Sequence, residues 1–230
     1  NICGYELRTP LLIINEKNYL EVSGDNALNL AKAAESVATD LGVEIVVAPP
    51  IPFLGIVAGN VSIPVLSQHT DSFKPGSVTG SIIPELVKSL NISGSIVNHS
   101  EKRVQFEELN QIIPRLRDVG LISVICAGTS EEVSRIAALQ PDFIAIEPPE
   151  LIGSGIAVSK AKPEVVSSSV KAAQRVNSNV KVICGAGVVE PEDVAASLKL
   201  GAFGVLVASG IVKAPNWKKK ILELAKPLII

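Results

Sequence analysis

Eight short apolar segments, separated by stretches in which apolar residues follow helical spacing, place the strongest constraint on the fold of this 230-residue chain. None of the eight alternates regularly between apolar and polar residues, so each is predicted to be a strand buried on both faces. Buried strands that alternate with helices form parallel sheets. The predicted strands span residues 11–14, 44–48, 65–67, 95–97, 122–126, 143–146, 180–184 and 204–207.

This alternation predicts an α/β fold, namely a (β/α)8 TIM barrel, with residues 11–230 in a single domain. The chain length and the hydrophobic content of 47% are sufficient for one large core. An open, doubly wound sheet is the competing architecture, but no G-x-G-x-x-G sequence follows the first predicted strand. Residues 1–10 are interpreted as an N-terminal arm, because they show no periodicity.

Three local signals predict where helices begin, end or bend. Asp25 is predicted to cap the first long helix, and Gly42 is predicted to end it. Pro114 lies inside a helical pattern and is predicted to kink or restart that helix. Ser100 is interpreted as the start of a helix directly after His99, where the positive end of the helix dipole favours a neutral imidazole.

Charge, hydropathy and cysteine content argue against several kinds of partner. The formal net charge is -2 and no basic stripe is present, so nucleic acid is not an expected partner. No apolar run approaches the roughly 18 residues that cross a membrane, and no signal-peptide pattern is seen. The widely separated Cys3, Cys126 and Cys184 indicate neither a disulfide framework nor a metal-binding Cys-x-x-Cys motif. A reducing, cytoplasmic location is therefore expected.

Polar side chains with catalytic potential follow the predicted strands at their carboxyl ends, where barrel enzymes place their active sites. Each of these residues has an ordinary explanation when it is seen alone, as a solvated lysine, a structural histidine or a tight glycine turn. Their joint placement at one edge of the barrel predicts an active site. The candidates are Asn15 and Lys17 after the first strand, His99 after the fourth, Glu147 after the sixth, and glycine-containing turns at 185–187 and 208–210 after the last two.

The segment that follows Glu147 has the composition of a hinged lid. Pro148 and Pro149 stop the strand, and Gly153 and Gly155 allow the far end of the segment to pivot. A carboxylate at a strand end, below such a segment, is what a catalytic base beneath a movable lid requires. An ordinary surface loop with a solvated glutamate is the alternative interpretation.

Five segments together resemble triosephosphate isomerase, in the compact form known from archaea. The histidine and glutamate segments are specific in combination, whereas the two glycine turns occur in many phosphate-binding barrels. The resemblance covers residues 11–224, which is nearly the whole chain. The segments are Asn15-x-Lys17-x-Tyr19, Asn-His-Ser-Glu-Lys-Arg at 98–103, Glu-Pro-Pro-Glu-Leu-Ile-Gly-Ser-Gly at 147–155, Cys-Gly-Ala-Gly at 184–187 and Gly-Val-Leu-Val-Ala-Ser-Gly at 204–210.

The resemblance implies a small phosphorylated triose as substrate, with reversible isomerisation of dihydroxyacetone phosphate and D-glyceraldehyde 3-phosphate in glycolysis and gluconeogenesis, and no metal or organic cofactor. Glu147 is implied as the base and His99 as the neutral electrophile. Lys17, with Asn15 orienting it, is implied to stabilise the enediolate. The phosphate is implied to lie against the backbone of Ile152, Gly153, Ser154, Gly187, Ala208 and Ser209.

The connection at residues 68–80 is much longer than the ~2–6 residues usual between a strand and a helix in α/β units. It contains Phe73, Pro75 and Gly76, which give it apolar surface that can dock. The resemblance implies that this loop docks beside the active site of a neighbouring subunit. It also implies a homo-oligomer, with a tetramer favoured over a dimer. A loop folded back on its own barrel is the alternative.

Two positions depart from the family pattern, and two other functions stay open. Glu16 and Asn18 stand where the resemblance leads us to expect an apolar residue and a threonine, so an extra carboxylate lies beside Lys17. Other phosphate-binding barrels, such as sugar-phosphate epimerases and enzymes of indole or histidine pathways, share the glycine turns but do not require His99 together with Glu147. A non-catalytic phosphate-binding or scaffold barrel is the second alternative.

Overall fold

The computed structural model describes residues 6–230, and these form one parallel sheet of eight strands. The strands are β1 Leu11–Asn15, β2 Glu44–Ala48, β3 Leu66–Ser67, β4 Gly94–Val97, β5 Ile122–Ala127, β6 Phe143–Ile146, β7 Lys181–Cys184 and β8 Gly204–Val207. They pair in the order β2-β1-β8-β7-β6-β5-β4-β3. A parallel bridge between Val47 and Val65 joins the two end strands, so the sheet forms a nearly closed barrel.

All eight predicted strands are present, and the ends of each lie within about one residue of the prediction. Helices occupy the connections between the strands, as a (β/α)8 barrel requires. The predicted fold class is therefore confirmed. The helices are α1 Asp25–Leu41, α2 Leu54–Ala58, α3 Pro84–Lys88, α4 Phe106–Val119, α5 Ser130–Ala137, α6 Val158–Ala161, α7 Pro163–Val176, α8 Pro191–Lys199, α9 Ser209–Val212 and α10 Trp217–Ala225.

Two apolar layers make up the core, because successive side chains of a strand point to opposite faces. On β1, Leu11 and Ile13 belong to the layer that fills the barrel. Leu12 and Ile14 belong to the larger layer between the strands and the helices. Continuous apolar strands are needed to supply both layers at once, which is the physical reason for the pattern in the sequence.

The described part of the N-terminal arm, residues 6–10, packs against the end of the barrel opposite the carboxyl ends of the strands. Leu7 is buried and belongs to the layer inside the barrel. The backbone N–H of Arg8 donates a hydrogen bond of 2.9 Å to the Glu44 carboxylate. These contacts fasten the arm to the barrel, while the rest of the predicted arm lies outside the described residues.

The helix signals require three corrections. Gly24, with φ 59° and ψ -134°, occupies the cap position predicted for Asp25, which is instead the first helical residue and places its charge in the first turn. Helix α4 continues through Pro114 and does not restart there, and burial of Ile113 and Leu116 offsets the missing backbone donor. No helix begins at Ser100; the chain makes a single turn there, and α4 begins at Phe106.

Between residues 6 and 230, no helix is both long enough and apolar enough to span a bilayer. Over that range, no group of three or more His, Cys, Asp or Glu side chains is arranged to hold a metal ion.

Candidate active site

The parallel register brings the predicted site residues to one mouth of the barrel. The hydrogen bonds between neighbouring strands continue one residue past β6 and β7. The Glu147 N–H donates to the Ala127 carbonyl at 2.8 Å, and the Gly185 N–H donates to the Ile146 carbonyl at 2.9 Å. A narrow cleft opens at this edge. Seven of the ten predicted site residues line it, namely Lys17, His99, Ile152, Gly153, Gly187, Ala208 and Ser209.

Glu147 lies at the base of this region and is almost completely buried, with 2% of its surface exposed. Burial raises the pKa of its carboxyl group to about 8, although the Cys126 thiol, the Lys17 charge and the Ser100 N–H act in the opposite direction. Within the described residues, neither of its oxygens completes a hydrogen bond of ordinary geometry. Burial therefore makes this carboxylate an unusually strong base, with its lone pairs free to accept a proton.

His99 lies beside Glu147, with 3.4 Å between its Nε2 atom and the Glu147 Oε2 atom. Its Nδ1 atom accepts a hydrogen bond of 3.1 Å from the backbone N–H of Glu101, which places the proton of a neutral ring on Nε2. Burial lowers the pKa of His99, and the Lys17 charge lowers it further, while Glu101 raises it. The ring is therefore neutral because of burial and Lys17, and the predicted helix dipole is not the cause.

Lys17 and Asn15 form the polar side of the mouth. The Lys17 ammonium pairs with the Glu101 carboxylate at 2.8 Å. The Lys17 backbone has φ 50°, and its N–H donates to the Asn15 side chain at 3.0 Å, so Asn15 holds the turn that aims Lys17. Gln68 fixes the other side of this turn by donating to the Lys17 carbonyl at 2.9 Å. Asn15 itself lines an adjoining cleft that also reaches Lys17 and His99.

The two glycine turns make close backbone contacts, one with the residue that follows the lid (defined as residues 148–155) and one with the loop after β7. Gly187 has φ 69°, and a Cβ atom there would lie 1.9 Å from the Ile156 carbonyl oxygen, so only glycine fits. A Cβ atom at Gly210 would lie 2.7 Å from the Val188 oxygen. Ser154 directs its hydroxyl to the Leu151 carbonyl at 2.7 Å, within the lid itself. Backbone groups, more than side chains, therefore shape this end of the cleft.

Glu16 is an anomaly next to the site. It is fully buried, and neither carboxylate oxygen has a hydrogen-bond partner among residues 6–230. Alternation along β1 places it on the helix-facing side, since Ile13 points into the barrel and Ile14 out of it. Burial alone raises its pKa to about 9, so the folded protein holds this carboxyl group neutral. The departure from the family pattern thus lies away from the Lys17 ammonium.

We expect Glu16→Met to stabilise the protein at neutral and alkaline pH. Between an unfolded pKa of 4.5 and a folded pKa of about 9, the folded chain keeps a proton that the unfolded chain releases, so stability falls as pH rises. The penalty is on the order of 3 kcal/mol at pH 7. The free energy of unfolding, measured in urea at pH 5, 7 and 9, should fall less steeply with pH for the variant than for the parent. A matched Glu107→Met variant, at an exposed position, should keep the parent's slope; equal slopes in all three proteins would contradict this account of Glu16.

Several site residues are not evident from the sequence. Cys126 lies against Glu147, and burial together with that carboxylate raises the pKa of its thiol well above the usual value. Asn98 adopts φ 67° and donates to the Cys126 carbonyl at 2.9 Å, which shapes the turn that carries His99. Glu101 orients both Lys17 and His99. The motif at 98–103 contains Asn98 and Glu101, but only the register of β5 against β6 brings Cys126 next to Glu147.

Fold and site together define a class: a (β/α)8-barrel enzyme with a buried carboxylate base, a neutral histidine and a lysine at one mouth. The family model for triosephosphate isomerase matches residues 10–225. The chain therefore belongs to the triosephosphate isomerase family, and the class of reaction is isomerisation.

Individual relatives agree with this assignment. Triosephosphate isomerase of Methanothermus fervidus is 47% identical over 215 residues, covering 94% of this chain and 97% of the relative. That of Methanocaldococcus jannaschii is 47% identical over 216 residues, covering 94% and 99%, and that of Caldivirga maquilingensis is 47% identical over 223 residues, covering 97% and 99%. The crystal structure of triosephosphate isomerase from Bartonella henselae superposes with a TM-score of 0.76 at 20% identity, over 96% of this chain and 99% of the other, which supports the fold.

Proposed function

We propose that this protein interconverts dihydroxyacetone phosphate and D-glyceraldehyde 3-phosphate through an enediolate, with Glu147 as the base. The observation that carries this proposal is the pairing of a buried carboxylate with the Nε2 atom of a neutral imidazole, 3.4 Å apart, in a cleft that Lys17 also lines. A base and a hydrogen-bond donor placed this way can act on a carbon-bound proton and on the adjacent carbonyl oxygen of one small substrate.

Each side chain has a separate task in the proposed reaction. Glu147 removes a proton from the carbon next to the carbonyl group and returns it to the neighbouring carbon. His99 donates its Nε2–H to the carbonyl oxygen and exchanges protons between the two oxygens. Lys17, held by Asn15 and Glu101, stabilises the negative charge that develops on the enediolate. The proton that leaves one carbon is returned to the other, so no oxidant or reductant is required.

The phosphate group is proposed to lie at the far end of the cleft, against backbone N–H groups. Gly187 on the β7 side and Ala208 and Ser209 on the β8 side line that end, and Ile152 and Gly153 of the lid face them. Ser154 directly follows Gly153 in the lid, and its backbone is proposed to contact the phosphate as well. Closure of the lid over the phosphate would keep water away from the enediolate, which otherwise loses phosphate.

A coupled isomerase assay with both phosphorylated trioses tests this function directly. We expect turnover in both directions without any added metal or cofactor. A sugar-phosphate epimerase or another phosphate-binding barrel would act on its own sugar phosphate and leave the trioses unchanged. A non-catalytic barrel would bind a phosphate compound and convert none of them.

We also propose a homo-oligomer, with a tetramer favoured over a dimer, located in the cytoplasm, in which residues 11–230 act as one domain. Loop 68–80 supports the assembly: Arg115 holds its backbone by donating to the Phe73 carbonyl at 2.8 Å, yet the Phe73 side chain is half exposed. A loop that is ordered while it presents an aromatic ring to solvent is suited to docking on a second subunit. Light scattering at micromolar concentration should give a multimeric mass, and a monomeric mass would contradict this proposal.

A further inference from the structure

An ion pair outside the catalytic centre connects helix α6, which follows the lid, to helix α8, which follows the loop after β7. The Lys160 ammonium on α6 lies 2.7 Å from the Asp193 carboxylate on α8. Lys160 is about half exposed, whereas the Asp193 side chain is almost fully buried. The pair therefore has one end in solvent and the other end inside the protein.

Asp193 organises the backbone that leads out of the phosphate turn. Its Oδ2 atom accepts hydrogen bonds from the Val189 N–H at 3.0 Å and from the Glu190 N–H at 2.9 Å. These N–H groups lie two and three residues after Gly187. The carboxylate thus caps α8 and fixes the end of the loop that begins with the phosphate turn.

The other carboxylate oxygen of Asp193 depends on Lys160. Apart from the ammonium group, Oδ1 has no hydrogen-bond partner in the described part of the chain and is shielded from solvent. Burial acts to raise the pKa of Asp193, but Lys160 and the two N–H groups together hold it below its usual value. Removal of the ammonium would leave a buried negative charge with one oxygen uncompensated, which favours rearrangement of the loop.

Helix α6, which begins three residues after the lid and which we call the lid hinge, touches the same loop at further points. The Val158 N–H, at the start of α6, donates to the Ala186 carbonyl at 3.2 Å, one residue before Gly187. The Ser159 hydroxyl donates to the Asp193 carbonyl at 3.3 Å. The hinge and the phosphate turn are thus linked by two backbone-directed hydrogen bonds and by the Lys160–Asp193 pair.

We propose that Lys160 and Asp193 are positioning residues that hold the lid hinge and the phosphate turn in register, so that the two halves of the phosphate site close as one unit. Neither residue touches the reacting atoms. The inference rests on the proposed function, because it assigns a support to the phosphate end of that same site. It predicts that loss of the pair weakens recognition of phosphate more than it weakens the proton transfer.

The test compares Lys160→Met with Lys160→Arg and with Lys171→Met, which removes an exposed lysine from the neighbouring helix α7. We expect Lys160→Met to weaken inorganic phosphate binding, measured by titration calorimetry, by about 10-fold, within the range of couplings through such contacts. KM for the phosphorylated triose should rise to a similar extent, while turnover of unphosphorylated glyceraldehyde changes much less. Lys160→Arg should recover most of the loss, and Lys171→Met should resemble the parent.

Two results would overturn the inference. One is unchanged phosphate binding and unchanged KM in Lys160→Met. The other is an equal loss on glyceraldehyde and on the phosphorylated triose, since this would indicate general damage to the barrel. Failure of the proposed function is a separate result, because the parent itself would then lack isomerase activity while calorimetry would still report the effect of Lys160 on phosphate binding.

Discussion

Glu147→Gln should lose nearly all isomerase activity while the barrel remains folded. The substitution keeps the size and shape of the side chain but removes the group that accepts the proton, and general-base contributions are about 10²–10⁴-fold. The fold should tolerate the change because burial raises the pKa of this carboxyl group to about 8, so the parent already accommodates a neutral group there.

Steady-state kinetics and circular dichroism together check this prediction. A matched Glu131→Gln variant, which changes an exposed glutamate at the start of α5, should keep parental kcat and KM. If Glu147→Gln retains activity within a few-fold of the parent, with an unchanged spectrum, then another group is the base and the proposed role of Glu147 is wrong.

The barrel and the main candidates for its site could be predicted because both follow from periodicity and topology. A strand buried on both faces must be apolar throughout, so eight such runs identify eight strands. Parallel strands place their carboxyl ends at one edge, so Lys17, His99 and Glu147 had to lie close together once the barrel was assumed. No knowledge of individual side-chain contacts was needed for that step.

Contacts between distant side chains could not be predicted in this way. Lys160 and Asp193 lie 33 positions apart, and only the packing of α6 against α8 brings them together. The burial of Glu16 similarly depends on how closely the helices cover β1. The local sequence wrongly indicated the start of a helix at Ser100. The His99 ring accepts a hydrogen bond from the Glu101 N–H, and this stabilises a turn in place of a helix.

Removal of the phosphate group from the substrate should lower kcat/KM by far more than the loss of substrate affinity alone would account for. In the proposed mechanism the lid and the glycine turns grip the phosphate, and this binding energy drives closure over Glu147. D-glyceraldehyde has the reacting carbons but no phosphate, so its kcat/KM should be roughly 10³-fold lower or worse. If the phosphate site only anchored the substrate, removal of the phosphate would raise KM and leave kcat nearly unchanged.

Gly153→Pro provides a variant that alters the lid without changing Glu147, His99 or Lys17. Gly153 has φ 69°, which proline cannot adopt, and a Cβ atom there would meet no atom of the described residues within 4 Å. We expect this variant to lose activity on the phosphorylated triose while its slow turnover of glyceraldehyde changes little. A silent Gly153→Pro variant would indicate that the lid does not move as proposed.

The most direct test of the central claim, that phosphate binding closes the site around Glu147, is the turnover of D-glyceraldehyde with and without added phosphite. Phosphite can fill the phosphate end of the cleft without being joined to the reacting carbons. The account predicts that phosphite increases kcat/KM for glyceraldehyde in a saturable manner, and that Glu147→Gln abolishes the increase. Turnover of glyceraldehyde that does not respond to phosphite at any concentration would contradict it.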